Sequence, residues 1–182
     1  MTQDSLLARL VADGGVFRLG DARFILIRPE TLVGVHKALA RAHGDSAAES
    51  LAEGGRAGGA RAVRGLRGSV EERATALAEM GSQLGWGAFT VESVTPTTFV
   101  ISVENSPFPE AHGSSDTPVC HLIRGVLQAL ADDVFRRAVR IVESECAATG
   151  ASRCVFEAVD ASSHATRTRG EMGGMPHSPH CS

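Results

Sequence analysis

The chain lacks most of the signatures by which a sequence declares its chemistry. No Gly-x-Gly-x-x-Gly follows a strand and opens a helix, so nothing marks a nicotinamide-binding crossover. The glycine-rich stretch around residues 54–59 lacks the Gly-Lys-Ser/Thr ending of a phosphate loop. With a net charge of -3 there is no electrostatic case for nucleic acid, which needs a basic face. No apolar run approaches the roughly 20 residues that span a bilayer. The start, MTQDSLLARLVADGG, has neither the basic opening nor the unbroken apolar core of a secretory signal. These absences point to a cytoplasmic protein, a compartment in which stable disulfides are rare.

What is present is a globular composition. Hydrophobic residues make up 43% and charged residues 21%, enough apolar side chain for one core in 182 residues. Arginine supplies every basic residue except Lys37, which reads as codon bias before function.

Along the chain, Ala22–Ile27 (ARFILI) reads as a short buried strand stopped by Pro29. A helix follows over Thr31–Ala42, with Leu32, Val35, Leu39 and Ala42 on one face. The stretch from Ser46 to about Leu66 is helical but carries Gly54, Gly55, Gly58 and Gly59. It is therefore either two short helices or one helix with a close neighbour. Ser69 with Glu72 forms a capping box that opens a helix running to about Leu84. Two strands, Ala88–Val94 and Thr98–Val103, flank a turn at Thr95-Pro96, and Glu104–Thr117 reads as a loop. In that loop Glu104 and Asn105 are expected to shape the backbone.

The clearest helix starts at Asp116–Pro118 and carries an apolar stripe of Val119, Leu122, Ile123, Val126, Leu127, Leu130 and Val134. Ala138–Cys146 and Arg153–Val159 form a hairpin around Thr149-Gly150. From Asp160 onward the chain reads as a disordered tail, leaving residues 1–159 as a single domain. The expected fold class is α+β, an antiparallel sheet with helices packed on one face.

One cysteine pattern stands out: Cys120-x22-Glu143-x2-Cys146-x7-Cys154. Thiolates and a carboxylate suit zinc, which closes a structural site with four donors. Cys120 falls at the helix start, where thiolate is favoured. Cys146 and Cys154 flank one turn, and a bulge near Glu143 would let it face the same centre. Paired Cys-x-x-Cys spacing is absent, and three buried cysteines filling the core is the alternative reading. His121 is more simply a solvated or core residue than a further donor. The tail residues His177, His180 and Cys181 could capture metal only nonspecifically.

With this pattern in a helix–hairpin setting, the segment Trp86–Phe156 resembles the 4-vinyl reductase domain family. VENSPF (103–108), PVCHLIRGVLQAL (118–130) and VESECAATGASRCVF (142–156) carry the likeness, and IRPETL (27–32) extends it. The resemblance implies a fold shared with haem-nitric-oxide-binding and vesicle-tethering domains. It also implies structural Zn2+ held by Cys120, Glu143, Cys146 and Cys154. An apolar pocket between sheet and helices is implied too, for which Trp86, Phe99 and Phe108 are the candidates.

In phenol-sensing members a tryptophan that hydrogen-bonds the ligand falls where this chain has Phe99. Phenylalanine has no such donor, so a more apolar or larger ligand fits better than phenol. Members associated with bacteriochlorophyll synthesis make a tetrapyrrole the second ligand class. The family likeness also implies a homodimer. No catalytic residues are assigned. The expected function is a zinc-stabilised sensor or carrier of a small hydrophobic or aromatic molecule. The alternatives are a bacteriochlorophyll-synthesis reductase or accessory subunit, and a protein-interaction module.

Overall fold

A computed structural model describes residues 6–135 and 137–161. The tail beyond 161, including His177, His180 and Cys181, lies outside the described residues.

The chain opens with a three-stranded antiparallel meander, β1 (Val11–Asp13), β2 (Val16–Leu19) and β3 (Ala22–Phe24). The expected buried strand is thus shorter and more open than its apolar sequence suggests. It ends at Phe24, and Ile25, Leu26 and Ile27 are 72%, 76% and 45% exposed. The β2–β3 pairing ends at Phe17 opposite Phe24. None of the meander's residues belongs to the described core. Alternation of residue type cannot reveal that, because burial needs an opposing layer.

Helix α1 (Pro29–His43) begins on Pro29 itself, which suits the first helical turn because the missing N–H would be unpaired there. Helix α2 (Ser46–Val63) runs unbroken through all four glycines. Two of them are needed for contact with α5 (His121–Val134). A Cβ at Gly55 would lie 2.2 Å from the Leu122 carbonyl oxygen, and one at Gly59 would lie 2.8 Å from Val126 Cα. From the other side, a Cβ at Gly125 would lie 1.9 Å from the Ala52 carbonyl oxygen. The helices meet backbone to backbone, so the packing energy gained there outweighs the helix-propensity cost of each glycine, about 1 kcal/mol.

This contact makes a paired prediction. Gly55→Ala pushes into backbone and is expected to cost about 1–3 kcal/mol or more. Gly58, with open space around its Cα, should tolerate alanine and gain up to about 1 kcal/mol from propensity. Urea unfolding of the two variants checks the opposite signs.

Helix α3 (Val70–Gln83) starts on the expected capping box. Ser69 Oγ accepts from the Glu72 N–H at 3.2 Å, and Glu72 Oε2 accepts from the Ser69 N–H at 2.7 Å. The segment expected to be a loop contains α4 (Pro107–His112), a short helix with Pro107 in its first turn.

A second, four-stranded antiparallel sheet has the order β4-β5-β7-β6, built from β4 (Ala88–Val94), β5 (Phe99–Glu104), β6 (Val139–Glu145) and β7 (Cys154–Asp160). Strand β7 reaches Asp160, one residue past the expected domain end. The strand periodicity puts Phe99, Ile101 and Val103 on the same face as Cys154, Phe156, Ile141 and Glu143. That face and the α5 residues Ile123, Leu127 and Leu130 belong to one buried core. The fold is α+β, as expected. Among the described residues no helix is long and apolar enough to cross a membrane.

Candidate functional site

Cys120 is the N-cap residue of α5, just outside the first turn. Its backbone N–H donates to Glu143 Oε2 at 2.9 Å, joining the helix start to β6. Between Glu143 and Glu145 the β6–β7 register slips, as a bulge there would require. The bulge lets Glu143 stay on the inner face while the chain beyond it turns Cys146 inward. A 3-10 turn over Ala147–Thr149 and Gly150, at φ +97°, then reverses the chain into Cys154, the first residue of β7. Gly150 supplies the left-handed conformation at no steric cost.

Four residues distant in sequence therefore converge. One donor atom from each of Cys120, Glu143, Cys146 and Cys154 lies within 4.8 Å of the other three, and all four residues are buried. Cys120 Sγ and Cys154 Sγ are 3.6 Å apart. A tetrahedral ion with metal–sulfur bonds of about 2.3 Å would hold its sulfurs about 3.8 Å apart. Glu143 Oε1 is buried with no hydrogen-bond partner among the described residues. An orphaned carboxylate oxygen among three thiols is costly unless a cation or proton satisfies it. The donor set fits a metal ion on both geometry and chemistry.

The electrostatics agree. Burial, then the neighbouring Cys146, push the Glu143 carboxyl up to about 8. The contacts with Cys146 and Cys154, followed by burial, raise the Cys120 thiol. Cys154 feels a thiolate-favouring contact from Cys120, but Cys146 and burial push it up to about 12. Cys146, which accepts from Cys120 and Cys154, is held far below the usual thiol range. Without metal, one thiolate is shared by protonated neighbours.

Two supporting groups escaped the sequence reading. Ser106 stands at the N-cap of α4 but makes no side-chain cap; its Oγ shares a hydrogen bond with Cys120 Sγ at 3.5 Å. The Ala147 N–H donates to Cys154 Sγ at 3.5 Å. A serine before proline looks like a local cap, so only its orientation reveals the longer-range role.

The aromatic candidates fall into two places. Trp86 is half-buried and meets Phe108 edge-on, with ring centroids 5.7 Å apart. Phe99 is buried against Phe135 at 6.4 Å. A cavity of about 490 Å³ opens elsewhere, beside the cysteine–glutamate cluster, and Glu143, Ile141, His36, His121, Arg124 and Arg140 help to line it. Burial, followed by His36 and Arg124, lowers His121 to about 4. Burial, followed by His112 and Lys37, also lowers His36.

An α+β domain whose last helix is fastened to a hairpin by a buried four-donor cluster defines a class of small domains able to hold a structural metal. The chain belongs to the 4-vinyl reductase domain family, whose model matches residues 99–160. It is 34% identical over 165 residues to the bacteriochlorophyll synthase 23 kDa chain of Cereibacter sphaeroides, covering 82% of this chain and 78% of that one. Its fold is similar to the phenol-responsive sensory domain of the transcription activator PoxR, solved with phenol. That match has a TM-score of 0.74 at 20% identity, over 84% of this chain and 85% of that chain. A subunit 3 of the trafficking protein particle complex from Naegleria fowleri, solved covalently bound to palmitic acid, matches with a TM-score of 0.55. Its identity is 15%, over 71% of this chain and 93% of that chain.

Proposed function

We propose that this chain is a zinc-stabilised binding module for a small hydrophobic or aromatic molecule, acting as a sensor or carrier. The observation that carries the reading is the buried cluster of three cysteines and a glutamate, with its orphaned Glu143 oxygen. Three soft thiolates and one carboxylate, with donor atoms within 4.8 Å of one another, favour Zn2+ over harder ions. Four protein donors fill the coordination sphere, so the ion holds α5 against the β6–β7 hairpin rather than meeting a substrate.

In this reading Trp86, Phe99 and Phe108 contact the ligand. Trp86 is the one tryptophan of the chain, so its fluorescence reports directly on binding. Such a module also works as a homodimer, in which a second copy covers the exposed Ile25, Leu26 and Ile27. A tetrapyrrole-synthesis role, as accessory subunit or 4-vinyl reductase, is the second reading. It is favoured by the 34% identity to the bacteriochlorophyll synthase chain.

Native mass spectrometry of freshly purified protein tests the proposal. The expected mass exceeds the polypeptide by one zinc and an organic adduct, and the adduct's mass separates a small aromatic from a tetrapyrrole. Protein purified without chelator and free of zinc would remove the metal assignment. No adduct, together with unchanged Trp86 fluorescence on titration with phenol or protoporphyrin, would remove the ligand assignment.

A further inference from the structure

Ser106 is a buried polar side chain, 5% exposed, and its hydroxyl meets the cysteine–glutamate cluster. It follows Asn105, whose left-handed backbone at φ +52° turns the chain from the end of β5 into α4. Glycine at position 87 makes room for that turn. A Cβ there would lie 2.8 Å from the Glu104 carbonyl oxygen and 3.3 Å from Ser106 Cα. Beyond α4, the Ser115 N–H donates to the Ala148 carbonyl at 2.9 Å. The segment is thus fastened at both ends, to Cys120 and to the turn between Cys146 and Cys154.

A serine at an N-cap normally turns its oxygen back to accept from the N–H of the second or third helical residue. In α4 the third helical residue is Pro109, which has no N–H to offer. The Ser-Pro-Phe-Pro run (106–109) therefore removes one of the two usual partners and loosens the hydroxyl's hold on its own helix. Ser106 makes no side-chain cap, and its Oγ lies 3.5 Å from Cys120 Sγ. Local sequence frees the hydroxyl, and tertiary structure supplies the sulfur.

With a cation in the cluster, the direction of this hydrogen bond is set. A metal-bound Cys120 carries no proton, so the hydroxyl must donate and the sulfur accept. Three thiolates and a carboxylate outweigh one divalent ion, and the surplus negative charge is buried. Donors aimed at the ligand atoms offset that surplus. The backbone supplies the Cys120 N–H to Glu143 at 2.9 Å and the Ala147 N–H to Cys154 at 3.5 Å. Among the described residues, Ser106 is the one side chain outside the cluster that brings a donor to a cluster sulfur.

We infer that Ser106 is a positioning residue for the metal centre, kept off its own helix by Pro109 so that its hydroxyl donates to the metal-bound Cys120 thiolate. The hydrogen bond draws electron density from the sulfur and fixes the side chain in the orientation that keeps it on the ion. The inference rests on the proposed zinc assignment and adds a group that the donor set alone does not name.

The test loads the full-length protein and its variants with Zn2+ or Co2+ and measures affinity by competition with a chelator. Ser106→Ala should weaken Zn2+ binding about tenfold, the lower end of what outer-shell partners contribute. In the Co2+ form its thiolate-to-metal charge-transfer absorption should move to longer wavelength, because a sulfur without the hydrogen bond gives up charge more readily. A serine that merely filled space would leave that band in place. Pro109→Ala restores an N–H at the third helical position, and the hydroxyl should turn back to cap α4. Zn2+ affinity should then fall toward the Ser106→Ala value. In the Ser106→Ala background the same change should leave affinity within about twofold, since the two residues act through one contact. Unchanged affinity with an unshifted band in Ser106→Ala would overturn the inference. No loss from Pro109→Ala, or an equal loss in both backgrounds, would overturn the proline's part in it. A parent protein that binds neither ion would overturn the zinc assignment itself, which separates the two failures.

Discussion

Cys146→Ser is expected to abolish stoichiometric metal binding and leave most of the chain unfolded at 37 °C. Structural zinc contributes an apparent ~10–16 kcal/mol in small metal-folded domains, whereas a whole domain is stable by only ~5–15 kcal/mol. This chain has a further apolar core of its own, including Phe99, Ile101, Phe156, Leu127 and Leu130. Residual secondary structure should therefore survive, in contrast to an isolated zinc finger.

The local damage is nevertheless concentrated. Cys146 is the thiolate that Cys120 and Cys154 both approach, and without it Glu143 shares a buried space with two thiols. A fall of about 20 °C or more in the melting temperature is expected, since each kcal/mol moves Tm by about 2–4 °C at this size and about 10 kcal/mol of metal binding is lost. Elemental analysis and circular dichroism of the same sample check both halves. The comparison variant, Cys181→Ser, should keep full metal content and an unchanged melt. A Cys146→Ser protein that melts normally and retains its metal would remove the cysteine–glutamate cluster as a metal centre.

Metal affinity should also fall steeply as pH falls, with Glu143 in place of Cys146 among the groups that give up a proton. The sign follows from which groups hold protons before the ion enters. Glu143 is raised to about 8, Cys154 is raised to about 12 and Cys120 is raised. Cys146 is lowered and already a thiolate. At neutral pH the ion must therefore displace about three protons, and each costs about tenfold in apparent affinity per pH unit. Between pH 7 and 6 the apparent affinity should drop by about 1,000-fold, an upper figure because the four groups titrate together. Above pH 8 Glu143 no longer contributes, and the slope should ease toward two protons. Competition with a chelator at pH 6, 7 and 8 gives the slope. Calorimetry in buffers of different ionisation heat counts the protons released. A slope near one proton per ion would mean that the cluster is already largely ionised, contrary to the shifts its burial imposes.

Much of the site was legible because its parts are local. The capping box at Ser69 and Glu72, the apolar stripe of α5 and the Thr149-Gly150 reversal each depend on residues a few positions apart, where backbone geometry is nearly decided by residue type. The cysteine spacing adds one long-range closure, Cys120 to the hairpin, which metal chemistry makes readable once three thiols and a glutamate fit one coordination sphere. Even the β6 bulge follows, because the offset from Glu143 to Cys146 is odd and an unbroken strand would turn them to opposite faces.

Other features were fixed only by the approach of distant segments. Four glycines left open whether residues 46–63 form one helix or two, and the backbone of α5 settles it by lying where side chains would be. Ile25, Leu26 and Ile27 read as core but stay exposed, because a strand pattern names an apolar surface without supplying the layer to cover it. Ser106, in a segment read as a loop, turns toward Cys120. His36, His112 and His121 carry no signal in their spacing and meet only through the packing of α1, α4 and α5. The sequence by itself determined the local turns, the helix caps and the spacing that lets three cysteines and a glutamate meet, since each is a short-range or stoichiometric property. Tertiary structure alone decided which apolar surfaces are covered and which imidazoles touch, because both depend on contacts that no periodicity encodes.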